Sequence, residues 1–314
     1  MPKSRTRASR PRPSGTKSTG RRAPAPAPDR SDNRLAVIVG ALVAVAVLAG
    51  VAFLVTRGGD EAGSAAAEVS HVHGLGVDPQ DGALYAGTHY GLFRMPEDGA
   101  VTRVADRVQD FMGFTVVGAG HFLASGHPGE GQDGPSSLGL IETIDGGQTW
   151  QPLSLQGEAD FHSLEARHDR VYGLNAMTGE FMVSEDKQTW ESRSQIPMAD
   201  FAVSPEDPDV LLATTEQGLA RSDDGGSSFA AVTGAPVLLL VSWAEDGTVI
   251  GVDPEGVVHA STDGGQSWEQ RGQLDAAPHA LTAASDDEVF AAVDGAILAS
   301  ADGGRSFTVR YREE

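Results

Sequence analysis

The chain has 314 residues, with 44 Asp and Glu against 23 Lys and Arg and a formal charge of −21 at neutral pH. It contains no cysteine, which excludes a disulfide framework, a thiol nucleophile and a thiolate metal site. So acidic a chain offers no general nucleic-acid-binding surface.

The charge is not spread evenly. Residues 1–34 carry ten Lys and Arg against Asp29 and Asp32, a net +8, so residues 35–314 carry −29. This tail is rich in Pro, Ser and Arg and cannot bury a core, so it is expected to be disordered. Leu35–Val55 follows, 21 residues without a polar side chain. At 1.5 Å per residue that run spans the ~30 Å hydrocarbon core of a bilayer. It is longer than the about 7–15 apolar residues of a cleaved signal peptide, so one uncleaved transmembrane helix is expected. The basic tail before it, with only Arg57 soon after, places the N-terminus in the cytoplasm. A single-pass protein of the cell membrane is expected, its remainder extracytoplasmic. Beside a membrane the basic tail reads as a topology signal or an anionic-lipid contact, with no nucleic-acid partner. Residues 56–69 form a short linker.

From residue 70 to 314 the chain repeats. Ser261–Trp268 reads STDGGQSW, and Thr143–Trp150 (TIDGGQTW), Ser222–Phe229 (SDDGGSSF) and Ser300–Phe307 (SADGGRSF) match it. Ser184–Trp190, SEDKQTW, is the same pattern one residue short. The central acids Asp145, Asp186, Asp224, Asp263 and Asp302 are spaced 41, 38, 39 and 39 residues apart. A period near 40 with short strand patterns in each unit predicts an all-β fold, a β-propeller. Aligning the units gives six four-stranded blades, the first with a degraded motif at Met95–Gly99 and strand signals at Gly76–Asp78, Ala83–Thr88 and Gly91–Arg94. The ends are expected to meet blade to blade. Each motif is expected at a hairpin between third and fourth strands, with Asp and Ser/Thr bonding turn backbone and Gly supplying positive φ. The closing aromatic should pack between neighbouring sheets.

These motifs resemble the Asp-box, or bacterial neuraminidase repeat, of sialidases, sortilin-type receptors and photosystem assembly factors. The likeness implies the fold and not a reaction. Phe93-Arg94-Met95-Pro96 resembles the Phe/Tyr-Arg-Ile-Pro motif of sialidases. There the motif opens an innermost strand, whereas here it leaves a third strand. No further arginine pair maps to the channel to complete a carboxylate-binding triad, and no Tyr–Glu nucleophile pair can be placed. His71-Val72-His73-Gly74, with Thr88-His89-Tyr90-Gly91 and Ser125-Gly126-His127-Pro128, is similar to small membrane-anchored, glycosyl hydrolase-like Asp-box proteins.

With the blades in register, histidines gather at one mouth of the channel. One ring at the entries of the innermost strands is read as His73, Met112, His162, Ala202, Val237 and His279. The second is read as His71, Asp110, Asp160, Asp200, Ala235 and Ala277. His89 and His127 match each other on turns between second and third strands, and an insertion, HPGEGQDGPSSL, follows at 127–138 and is expected to flap over this mouth. Imidazole, thioether and carboxylate converging on an axis suit copper or zinc, with His73, Met112, His162 and His279 as ligands and His71, His89 and His127 in support. Asp110, Asp160 and Asp200 are placed to bond the second imidazole nitrogen. Two functions are therefore expected to compete. One is a binding or assembly module taking a small ligand, glycan or protein at the histidine face. The other is a glycoside hydrolase using two of Asp110, Asp160, Asp200, Glu130 and Glu216.

Overall fold

The computed structural model describes residues 69–313 except Arg107 and Glu130. The expected tail and transmembrane helix, all of the linker but Val69, and the candidate Glu130 lie outside the described residues. Among those described, no helix is long and apolar enough to cross a membrane.

Six antiparallel four-stranded sheets follow one another in chain order. Blade 1 comprises β1 (Val72–Val77), β2 (Leu84–Thr88), β3 (Gly91–Met95) and β4 (Thr102–Arg103). Blade 2 comprises β5 (Asp110–Gly118), β6 (His121–His127), β7 (Leu140–Thr143) and β8 (Gln151–Ser154). Blade 3 comprises β9 (Phe161–Arg167), β10 (Arg170–Asn175), β11 (Glu180–Ser184) and β12 (Glu191–Ser194). Blade 4 comprises β13 (Met198–Val203), β14 (Leu211–Thr215), β15 (Gly218–Ser222) and β16 (Ala230–Ala231). Blade 5 comprises β17 (Leu240–Trp243), β18 (Val249–Val252), β19 (Val257–Ser261) and β20 (Glu269–Gln273). Blade 6 comprises β21 (Ala280–Ala283), β22 (Val289–Val293), β23 (Ala296–Ser300) and β24 (Thr308–Arg312). This is the six-bladed propeller expected. Among the described residues no strand is exchanged between first and last blades, and the ring closes blade to blade.

Burial explains the order within each blade. The second strands are covered on both faces, so they read as short apolar runs such as Leu84–Thr88, in which every residue is buried. The fourth strands form the rim, and Glu191–Ser194 is exposed or half-buried throughout. Apolar residues from each pair of neighbouring sheets merge into one cluster. Tyr172, Phe181 and Val183 of blade 3, for example, pack with Phe201, Val203 and Leu211 of blade 4. A side chain as fully covered as Phe181 contributes roughly 1.5–3 kcal/mol. The last cluster joins Phe290 and Ile297 of blade 6 to Val72, Leu84 and Phe93 of blade 1. The Arg310 guanidinium reinforces that seam by donating to the carbonyls of Met95 and Glu97.

Innermost strands present an unpaired edge to the channel, and such edges need partners. The preceding blade supplies them. Phe161 N donates to Ser125 Oγ, Val203 N to Glu165 Oε2, Val241 N to Asp200 Oδ2 and Ala283 N to Ser242 Oγ, all at 2.9–3.0 Å.

The repeated hairpins hold themselves together locally. Asp263 Oδ1 accepts from Ser261 Oγ and Ser267 N, both at 2.8 Å, while Ser261 Oγ accepts from Gly265 N at 2.9 Å. Gly264 and Gly265 supply φ of 70° and 85°. In the shortened hairpin Lys187 takes the left-handed turn itself, at φ 62°. The closing aromatics pack inward as expected: Trp190 stacks on Phe161 with ring centroids 4.7 Å apart, and Trp150 sits 5.1 Å from Phe111.

Candidate functional site: a histidine-lined channel mouth

The innermost strands do not run straight into the mouth. The β1–β2, β5–β6, β9–β10 and β13–β14 ladders each skip one residue near that end, at His73, Met112, His162 and Ala199. A bulge bends the strand and re-aims the extra side chain. Thus three of the four ligands predicted for the inner ring owe their orientation to backbone irregularity. His279 precedes β21, its amide donating to Ala292 O at 2.8 Å.

Two blades differ from the predicted rings. Asp200 pairs with Thr214 inside its ladder, whereas Asp110 pairs with His127 at the very end of its own. Ala199, not Ala202, is therefore the mouth residue of blade 4. The shared Asp-Phe dipeptide misleads here, because the apolar anchor filled by Phe111 and Phe161 is filled in blade 4 by Met198. In blade 5 the strand begins at Leu240, so Leu239 replaces Val237 in the ring, and Val237 is 53 % exposed.

The site residues fall into two linked groups. In the first, His89 Nδ1 lies 2.7 Å from Asp110 Oδ1, and His89 Nε2 lies 3.0 Å from His73 Nε2. A carboxylate only accepts, so Nδ1 of His89 carries its proton and Nε2 offers a lone pair to His73 Nε2–H. His71, with φ of 53°, stands edge-on to His89 with centroids 5.2 Å apart. Burial, with His89, His162, His71 and His279 around it, pushes His73 down to about 3, so it is neutral near pH 7. In the second group, Asp160 Oδ2 lies 2.8 Å from His162 Nε2 and 3.4 Å from His127 Nε2, and His127 Nδ1 donates to Ser136 O at 2.7 Å. Asp110 and Asp160 thus orient imidazoles as predicted. Asp200 does not: it bridges three blades, accepting from Ser163 Oγ at 2.8 Å and Val241 N at 3.0 Å.

His73, His162 and His279 line a central cavity of about 560 Å³. Met112 occupies the equivalent bulge but is not among that cavity's lining residues. Among the described residues, no three His, Asp or Glu side chains are assembled around one metal-sized position. Glu216 is exposed on the β14–β15 turn. The insertion runs beside the mouth and is fastened there by Leu138 N to Gly126 O and by Gly157 N to Ser137 O, both 2.8 Å.

Several residues at the mouth and in the cavity escape sequence reasoning. Asp294, on the turn matching His89, meets His279 Nε2 at 3.0 Å. Deeper in the cavity Arg167 donates to Val203 O and Trp243 O and pairs with Glu245 at 2.9 Å and Glu165 at 3.4 Å. Burial pushes the Glu165 carboxyl up to about 7, against the pull of Arg167, and the Asp200 carboxyl up to about 6. Arg167 sits at the last position of β9 and lines the cavity, where no further arginine pair was expected.

No protein-family model matches this chain, and no curated sequence is similar to it. Solved structures do resemble it. A GH74 xyloglucanase from Xanthomonas campestris superposes with a TM-score of 0.52 at 17 % identity, over 78 % of this chain and 46 % of the enzyme, so the chain spans under half of that protein. A gluconolactonase from Xanthomonas campestris gives 0.58 at 10 % identity, covering 74 % and 86 %. A chain of a nidogen–laminin complex gives 0.57 at 9 % identity, covering 73 % and 95 %. At these identities the likeness establishes the propeller fold alone.

Proposed function

We propose that this protein is a single-pass membrane protein whose extracytoplasmic propeller is a binding or assembly module, taking a copper or zinc ion at the histidine mouth. The repeated hairpins keep the Asp-box pattern and serve as scaffold. The observation that carries the metal reading is the His73–His89 pair. Two imidazole nitrogens on one such ion, each about 2.0–2.1 Å from it, stand about 2.9 Å apart at a right angle and about 3.3 Å apart around a tetrahedron, and the two Nε2 atoms are 3.0 Å apart. Asp110 behind His89 fixes the tautomer that leaves Nε2 free to bind. His73 is already neutral, and moving its proton from Nε2 to Nδ1 gives the tautomer a metal requires. His71, His162 and His279 stand beside the pair, and imidazoles in that number suit either metal.

All nine histidines lie at or after residue 71, so the full-length chain in detergent is a clean test object. Titration with Cu(II), Cu(I) and Zn(II) should show an ion that His73→Ala and His89→Ala each lose while the melting temperature holds. Binding weaker than about millimolar (roughly −4 kcal/mol) for all three ions, or binding untouched by both variants, overturns the metal reading. A glycan-hydrolysis screen then becomes the next experiment, because the Asp200 carboxyl, pushed up to about 6 beside the cavity, has the protonation a general acid needs. Topology is tested separately. A reporter fused after Glu314 should be active only outside the cytoplasm, and cytoplasmic activity would remove the membrane assignment.

A further inference from the structure

His127 and Asp160 meet in a way that an ordinary hydrogen bond does not explain. The Ser136 carbonyl oxygen only accepts, so the His127 Nδ1 that lies 2.7 Å from it carries that ring's proton. In the neutral ring Nε2 then has a bare lone pair, and it lies 3.4 Å from Asp160 Oδ2. Two lone pairs across such a gap repel unless something positive lies between them. Asp160 has the same need. Its side chain is only 8 % exposed, its Oδ2 accepts from His162 Nε2 at 2.8 Å, and its Oδ1 has no hydrogen-bond partner. A buried carboxylate oxygen left unpaired is costly.

A proton on His127 Nε2 would supply charge but not the fit. The gap is longer than the about 2.7–3.2 Å of an N–H···O bond. Two donors bound to one zinc at about 2.0–2.1 Å stand roughly 3.3 Å apart around a tetrahedron, close to the 3.4 Å observed. We propose that His127 Nε2 and the Asp160 carboxylate form a second site, for a divalent transition-metal ion such as zinc, at the seam of blades 2 and 3. It stands independently of the His73–His89 pair. His162 donates to the carboxylate from behind and orients it. The remaining coordination positions are open, as in sites that take a water or a ligand donor. Because Ser136 belongs to the insertion, an ion here also fastens that insertion to blade 3.

The test uses the full-length chain in detergent, titrated with Zn(II) against a chelator of known affinity and with Co(II) as an absorbance probe. His127→Ala and Asp160→Asn should each remove one ion, weakening it more than about a hundredfold, and His162→Ala should weaken it about 10–100-fold. His73→Ala should leave this ion in place, so failure here and failure at the first pair are read separately. Asp160 is buried, and if its variant does not fold, His127→Ala decides, since that side chain is 37 % exposed. Unchanged stoichiometry in His127→Ala, or a His127–Asp160 gap that responds to pH alone and never to Zn(II) or Co(II), overturns the proposal.

Discussion

The hairpins at one end of each blade and the channel at the centre use the same side chain in opposite ways. Asp186, Asp224, Asp263 and Asp302 are held down to about 2, each by hydrogen bonds from hydroxyls and amides no more than four residues away. Asp200 and Glu165 are raised to about 6 and about 7 by burial, although each accepts hydrogen bonds as well. The hairpin carboxylates stand in water, so their bonds add to solvation that is never lost. The channel carboxylates give up water first, and two or three bonds do not restore it. A carboxylate's role in this fold is therefore set by where the ring places it. The hairpins are suited to holding blades, and the channel to holding protons and ligands.

The largest expected consequence is a stability profile with two opposing slopes. Glu165 rises from an ordinary 4.5 to about 7, so the folded state binds its proton more tightly than the unfolded chain. Its cost is absent below about 4.5, grows as pH rises, and is complete above about 7. At 1.36 kcal/mol per unit this is on the order of 3 kcal/mol. Asp200 acts in the same direction between 3.8 and about 6. The hairpin aspartates act oppositely, giving stability that is present above 3.8 and lost as pH falls to about 2. Melting temperature should therefore peak near pH 4–5. Glu165→Gln should flatten the decline between 4.5 and 7 and leave the acid slope intact. An equally steep decline in that variant would place the neutral-pH cost elsewhere.

The same contrast explains what the sequence could show. Hairpin bonds join residues two to four apart, such as Ser261, Asp263 and Ser267, so their pattern repeats in the chain and reveals blade number, strand order and closure. The mouth is made by pairs far apart, His89 with Asp110 and His73 with His89, which become visible only when units are put in register. Register held for blades 1, 2, 3 and 6 because an apolar anchor or histidine marks the strand entry. It slipped by three residues in blade 4, where Asp200-Phe201 imitates Asp160-Phe161 but sits deeper in its strand. Glu165 and Arg167 were hidden for another reason. A charged pair inside a channel needs the neighbouring blades, here Val203 and Trp243, to satisfy it, and no local pattern announces that.

The smallest effect gives the sharpest separation of the two regions. Asp263→Ala removes the acceptor of Ser261 Oγ, buried at the end of its strand, and of Gln266 N and Ser267 N in the exposed turn. Water can take over part of what is lost, and Gly264 and Gly265 keep their turn geometry. A fall of a few degrees in melting temperature is expected, because one turn of one blade loosens while the interface around Leu238, Trp243 and Trp268 persists. Metal titration of this variant should match the wild type, since the hairpin lies at the opposite end of its blade from the mouth. His89→Ala should show the converse, with melting nearly unchanged and the proposed metal binding at His73 lost. If Asp263→Ala instead keeps its melting temperature and loses binding, the hairpins take part in recognition, and the division between holding blades and holding ligands fails.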